Sequence, residues 1–208
     1  MCDGHFFVQH PSVYQFVTEV ESILEREPET IKRLADLRSP YRVLLEDDSW
    51  LPGEFHQVNP NSAMGGGIAS WLLYQSAEKD LSLFSLVVPS GVTTPIHNHL
   101  AWGLVGIYAG EQEEEEFEPQ DLEHHDPGAA TPMKLRFRRI LKRGEFYELM
   151  PPYNDVHRVR TTSQEPSISL HLLANDTGCI VRQRFDLVTG LATPFRSGWS
   201  NQPCDEPH

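Results

Sequence analysis

From Leu81 onward the chain is a succession of short apolar runs, each cut off by Gly, Pro, Asn or Asp. They include "LSLFSLVVPSG", "TPIHNHLAWGLVGIYAG", "MKLRFRRILKRG", "EFYELMPP", "VHRVRTT", "ISLHLLAND" and "IVRQRFDLVTG". This rhythm belongs to an all-β sandwich or barrel. No repeat of fixed period accompanies it.

The first eighty residues have a different texture. Val13, Phe16, Val17, Val20 and Ile23 recur at helical spacing, and Pro28 divides residues 11–37 into two predicted helices. A third helix is predicted over 67–79. A chain of 208 residues suits one domain, with residues 1–80 as a helical segment packed on a barrel spanning 81–208.

Charge excludes some partners. The formal net charge is 17 − 30 = −13, and so acidic a chain repels phosphate backbones, which argues against nucleic acid. No apolar run reaches 18 residues, so no membrane span is expected, and residues 1–16 lack the pattern of a secretory signal. The three cysteines, Cys2, Cys179 and Cys204, contain no CxxC and are expected to be free thiols in a reducing cytoplasm.

The chemistry concentrates in "GVTTPIHNHLAWGLVGIYAG", residues 91–110. On a strand, positions i and i+2 share a face roughly 7 Å apart, so His97 and His99 point together and Asn98 away. Two such imidazoles reach one metal ion at about 2.0–2.1 Å. His157, in "GEFYELMPPYNDVHRV", follows a similar strand and turn and is the candidate third ligand. The pair His124–His125 is read as a loop feature, because neighbouring residues on a strand face opposite ways. The acidic run Glu113–Glu116 is read as a solvated strand.

Gly91, His97, His99 and Gly110 match the first cupin motif, G(X)5HXH(X)3–4E(X)6G, in all but the Glu, whose place falls at Gly103 or Leu104. Gly144 to His157 resembles the second motif, with Asn154 where Gly is usual. The resemblance implies a mainly β cupin, a double-stranded β-helix or small antiparallel barrel with N-terminal α-helices. Replacing the carboxylate by a third neutral imidazole makes a ferrous site more cationic and suits an anionic ligand such as a thiolate.

The stretch "TPIHNHLAWGLVGIYAG", with "LMPPYNDVHRV", "SISLHLLANDTGCIVRQRFDLVTG" and "PFRSGWSN", resembles the cupin thiol dioxygenases, the family of cysteine dioxygenase and 3-mercaptopropionate dioxygenase, over roughly residues 65–201. The resemblance implies Fe(II) held by His97, His99 and His157, with a small thiol and O2 as partners. The family's Ser-x-His-x-Tyr triad is matched by Ser169 and His171, but Leu173 stands at the Tyr position; Tyr147 and Tyr153 are candidates to replace the phenol. Arg182 falls where an arginine near the active site is implied, with a substrate carboxylate as its target. Arg158 and Arg160 are expected to face away from His157, and Trp102 to pack. Two alternatives stay open: a three-His cupin that cleaves a C–C bond of a diketone, and a non-catalytic metal-binding cupin.

Overall fold

The computed structural model describes residues 4–119 and 132–204; the His124–His125 pair lies outside them. In chain order the elements are β1 (His5–Phe6), α1 (Pro11–Arg26), α2 (Thr30–Glu46), β2 (Ala69–Gln75), β3 (Ser82–Val88), β4 (Ile96–His97), β5 (Gly103–Ala109), β6 (Glu111–Pro119), β7 (Met133–Lys142), β8 (Phe146–Leu149), β9 (Val156–Thr161), β10 (Ser167–Leu173), β11 (Arg182–Phe185) and β12 (Ala192–Phe195).

The strands form two six-stranded sheets, ordered β1-β2-β3-β10-β5-β8 and β12-β11-β4-β9-β6-β7. Every strand pairing is antiparallel. From β3 to β6 and again from β8 to β11, successive strands alternate between the two sheets. That winding makes a double-stranded β-helix, the fold of the cupins, and the protein is mainly β with two helices.

The first sheet is buried on both faces, which explains why β3, β5 and β10 read as continuous apolar runs rather than alternating ones. Leu83, Val87, Leu104, Leu170 and Leu172 pack against the helices, while Phe84, Leu86, Val105 and Leu173 fill the space between the sheets. Val13, Phe16, Val17, Val20 and Ile23 form the buried stripe of α1, each burial worth about 1.5–3 kcal/mol. His10 caps this helix, accepting from the Ser12 N–H at 3.2 Å. The Tyr41 hydroxyl donates to the Leu170 carbonyl at 2.7 Å, tying α2 to β10.

Three expectations fail here. The second helix runs to Glu46, past 37 and through Pro40, because Leu34, Leu37, Tyr41, Leu44 and Leu45 keep one apolar stripe buried. The predicted helix over 67–79 is instead strand β2, whose backbone pairs with β3 from Ala69 to Gln75; tertiary pairing overrides a weak helical preference. Cys179 and Cys204 form a disulfide, with Cα atoms 5.3 Å apart, so the expectation of free thiols fails for these two. Disulfides persist mainly in oxidising compartments, and the cysteine argument for a cytoplasmic setting falls with it. No helix among the described residues is long and apolar enough to cross a membrane.

Candidate metal centre

His97 closes the two-residue strand β4 and sits directly opposite His157 on β9. The strand then ends, so His99 lies in the loop before β5, where alternation no longer sets its direction. Asp155 sets it instead. Its carboxylate accepts from the backbone N–H groups of His99 at 2.8 Å and Leu100 at 3.0 Å, and Leu100 takes a positive φ of 57° as the chain turns. The sequence reading did not single out Asp155.

His97, His99 and His157 are all buried and bring one ligand atom each within 4.8 Å of one another. They are the only such group of three His, Cys, Asp or Glu residues among those described. In each ring Nδ1 is already engaged. His97 Nδ1 is 2.8 Å from the Pro95 carbonyl. His99 Nδ1 is 3.3 Å from the Asp155 carbonyl and from its Oδ1. His157 Nδ1 is 3.0 Å from Glu114 Oε1 and 3.1 Å from the Tyr147 hydroxyl. This leaves each Nε2 for a ligand and fixes the tautomer a metal requires. Burial, the other histidines and Arg182 hold the His97 and His99 pKa values well below the usual range, so both rings are neutral donors. The donor set fits a divalent transition-metal ion.

The motif's missing carboxylate has a steric reason. Leu104 faces the helices and is fully buried among them. A Cβ on Gly103 would lie 1.9 Å from the Leu172 carbonyl oxygen and 2.7 Å from Leu173 Cδ2. Gly103 is also the cross-strand partner of Leu173. Neither position can present a Glu to the histidines without moving β10.

Ser169 and His171 stand on β10. Ser169 Oγ is 2.9 Å from His171 Nε2, and the imidazole stacks on Phe84 at 4.5 Å between ring centroids. Burial, then the charges of His99, His157 and Arg182, push its pKa well down. His171 shares a cavity of ≈ 20 Å³ with His97, His99 and Arg182, room for about one water molecule. Phe84, Leu86 and Met64 supply its apolar side, and Ser70, Thr177 and Ser197 its hydroxyls. No residue of α1 or α2 lines it.

Arg182 begins β11 and is 3% exposed. Its Nη1 donates to the Asn98 carbonyl at 2.7 Å and its Nη2 to Ser197 Oγ at 2.8 Å. The guanidinium carbon sits 4.9 Å from the Phe195 ring centre. Burial lowers its pKa to about 10 against the opposing pull of Asp155, which leaves it charged at neutral pH.

Neither proposed tyrosine replaces the phenol lost at Leu173. The Tyr147 hydroxyl meets His157 on its Nδ1 side, away from the nitrogen left for a metal, and Tyr153 is 78% exposed. Arg158 faces outward and pairs with Glu115, and Arg160 is exposed. Trp102 is half-buried against the helical core. The acidic run is not the solvated strand expected of it. Glu114, Glu115 and Glu116 are buried and paired with Arg139, Arg138, Arg158 and Arg136. The alternating Arg residues of "MKLRFRRILK", set beside β6 by register, are the signal that could have revealed this.

No protein-family model matches the chain. Among solved structures it is similar to a double-stranded β-helix protein of Klebsiella pneumoniae, at 14% identity over 62% of this chain and 92% of that one, with a TM-score of 0.43. It is also similar to an RmlC-like cupin family protein of Methanocaldococcus jannaschii, at 14% identity over 55% and 86%, with a TM-score of 0.37. An oxalate oxidase matches at 17% identity over 47% of this chain and 43% of its own, with a TM-score of 0.37; the chain thus spans less than half of that oxidase. The assignment as a double-stranded β-helix rests on the winding of this chain's own strands.

Proposed function

We propose that the protein is a mononuclear Fe(II) dioxygenase that converts a small, carboxylate-bearing thiol to its sulfinate, both oxygen atoms of O2 adding to sulfur. The observation that carries this reading is the three-imidazole donor set, two of whose members, His97 and His99, line one small cavity with a buried, fixed guanidinium. Three neutral ligands leave a ferrous ion its full charge, which favours an anionic sulfur ligand over a neutral one. Bound there, the ion supplies redox chemistry and open coordination positions.

The chain's own residues supply the rest. His97, His99 and His157 would hold the ion through Nε2. Arg182, clamped by Asn98 and Ser197, offers its charge to a carboxylate without having to be ordered first. Ser169 fixes the ring plane of His171, and the neutral imidazole can exchange a proton with a substrate atom at the cavity. With space for about one water, the site favours a small substrate.

A second reading has one observation in its favour. Met64, Phe84 and Leu86 make one side of the site apolar, which suits C–C cleavage of a diketone.

The deciding experiment is O2 uptake by iron-loaded protein against a panel of small thiols and diketones, with mass detection of products. Uptake with a thiol and a gain of two oxygens supports thiol dioxygenation. Uptake with diketones alone moves the protein to C–C cleavage, and bound iron with no uptake makes it a binding protein.

A further inference from the structure

The three ligand histidines do not have equivalent partners. His97 faces a neutral carbonyl behind its ring. His99 Nδ1 is 3.3 Å from both the Asp155 carbonyl and its carboxylate Oδ1, and that carboxylate already accepts from two backbone N–H groups. His157 makes the shortest carboxylate contact of the three, Glu114 Oε1 at 3.0 Å. Glu114 is 1% exposed, and its other oxygen accepts from Arg139 Nε at 2.5 Å. The Arg139 guanidinium in turn covers the Tyr147 ring at 4.3 Å. Glu114 is thus held between Arg139 and His157, with one oxygen turned to each.

We infer that Glu114 is a positioning residue that orients His157 and strengthens its Nε2 as a donor, lending the ligand a part of the negative charge that a directly bound carboxylate would supply in full. The inference rests on the metal-site reading above. Gly103 and Leu104 cannot present a carboxylate to the ion, for the steric and facing reasons already given. A carboxylate that accepts the Nδ1 proton of a metal-bound imidazole gives that ring partial imidazolate character and makes Nε2 a stronger donor. Glu114 lies on β6, three pairing positions from the turn into β5, and the β6–β9 register sets it beside the ligand strand. The burial of Glu114 and Tyr147 beside one ligand nitrogen is otherwise costly, and this role accounts for it.

The test is zinc affinity measured by chelator competition on the full chain, comparing wild type, Glu114→Gln and the control Glu115→Gln. Glu115 is a carboxylate of the same strand, 5% exposed, that faces away from His157 to Arg138 and Arg158. Glutamine keeps the shape and one accepting oxygen, removes the charge and replaces the other acceptor by an NH2 donor. Glu114→Gln should weaken zinc binding about 10–100-fold, with Glu115→Gln unchanged. Equal affinity in Glu114→Gln and wild type would overturn the inference, as would equal losses in both variants. If wild type itself binds no zinc, it is the metal-site reading that fails. A second measurement needs no variant. In the zinc-loaded protein the Nδ1 proton of His157 should resonate clearly downfield of that of His97; coincident positions would overturn the inference.

Discussion

The two walls of the cavity are built on opposite principles. On the ligand wall, His97, His99 and His157 each have Nδ1 engaged by a backbone carbonyl or carboxylate, so every ring is oriented before a metal arrives. The second wall draws on both sheets, with His171 on β10 and Arg182 on β11 beside β4, and there His171 Nδ1 and Arg182 Nε are buried with no hydrogen-bond partner. Buried polar atoms are normally paired, and leaving one unpaired costs about 1–3 kcal/mol. The first wall is therefore organised around an ion of fixed position. The second leaves two buried donors or acceptors unpaired, and under the proposed function these are the groups that meet the substrate.

The largest effect expected is on pH dependence, and it joins the two walls. Burial holds His97 and His99 on one wall, and His171 on the other, well below the ordinary value of 6.5. A histidine with a depressed folded pKa contributes full stability above 6.5 and loses it as pH falls, because the unfolded chain takes up the proton first. The metal-free protein should lose stability below pH 6.5 with a slope of up to three protons, about 4 kcal/mol per pH unit. Urea unfolding at stepped pH values measures this; a flat profile from pH 7 to 5 would mean these rings are not buried neutral.

The next effect isolates the second wall. The Cys179–Cys204 link, 25 residues apart in sequence, closes the segment that carries Arg182 and the cavity-lining Ser197. Cys179→Ser should cost about 3 kcal/mol in denaturant unfolding while leaving metal affinity in place. Arg182→Ala should cost about 2 kcal/mol, since the Asn98 carbonyl and Ser197 hydroxyl lose their donors while a buried charge is also relieved. It should raise KM for a carboxylate-bearing substrate and leave metal affinity intact. Loss of metal from either variant would break the division between the walls. Ser169→Ala is the smallest change, about 1 kcal/mol for one buried hydrogen bond, read by thermal unfolding.

Much of this was legible in the sequence, for physical reasons. Histidines two apart after a Gly-turn, and a third after a comparable strand and turn, select the residues the structure brings together. Gly110 marks the tight passage from β5 to β6, with φ +74° and a Cβ position 2.8 Å from Ser163 Oγ. The alternation argument reached the right histidines by the wrong route, because β4 stops at His97 and Asp155 orients His99. Asp155 and Glu114 stayed hidden since each acts across a strand register that no local pattern encodes. Strand β2 read as a helix because its partner β3 and the C-terminal Asn201, which bonds Leu72 on both its backbone N–H and carbonyl, lie elsewhere in sequence. The disulfide was missed for the same reason: spacing alone says nothing about which cysteines meet.

The measurement that bears most directly on the account is anaerobic Fe(II) binding to wild type and His157→Ala, read as iron per chain after equilibrium dialysis. The account predicts one ion per wild-type chain and none in the variant, with the variant still folded by circular dichroism. Stoichiometric iron retained in folded His157→Ala would contradict the three-histidine centre.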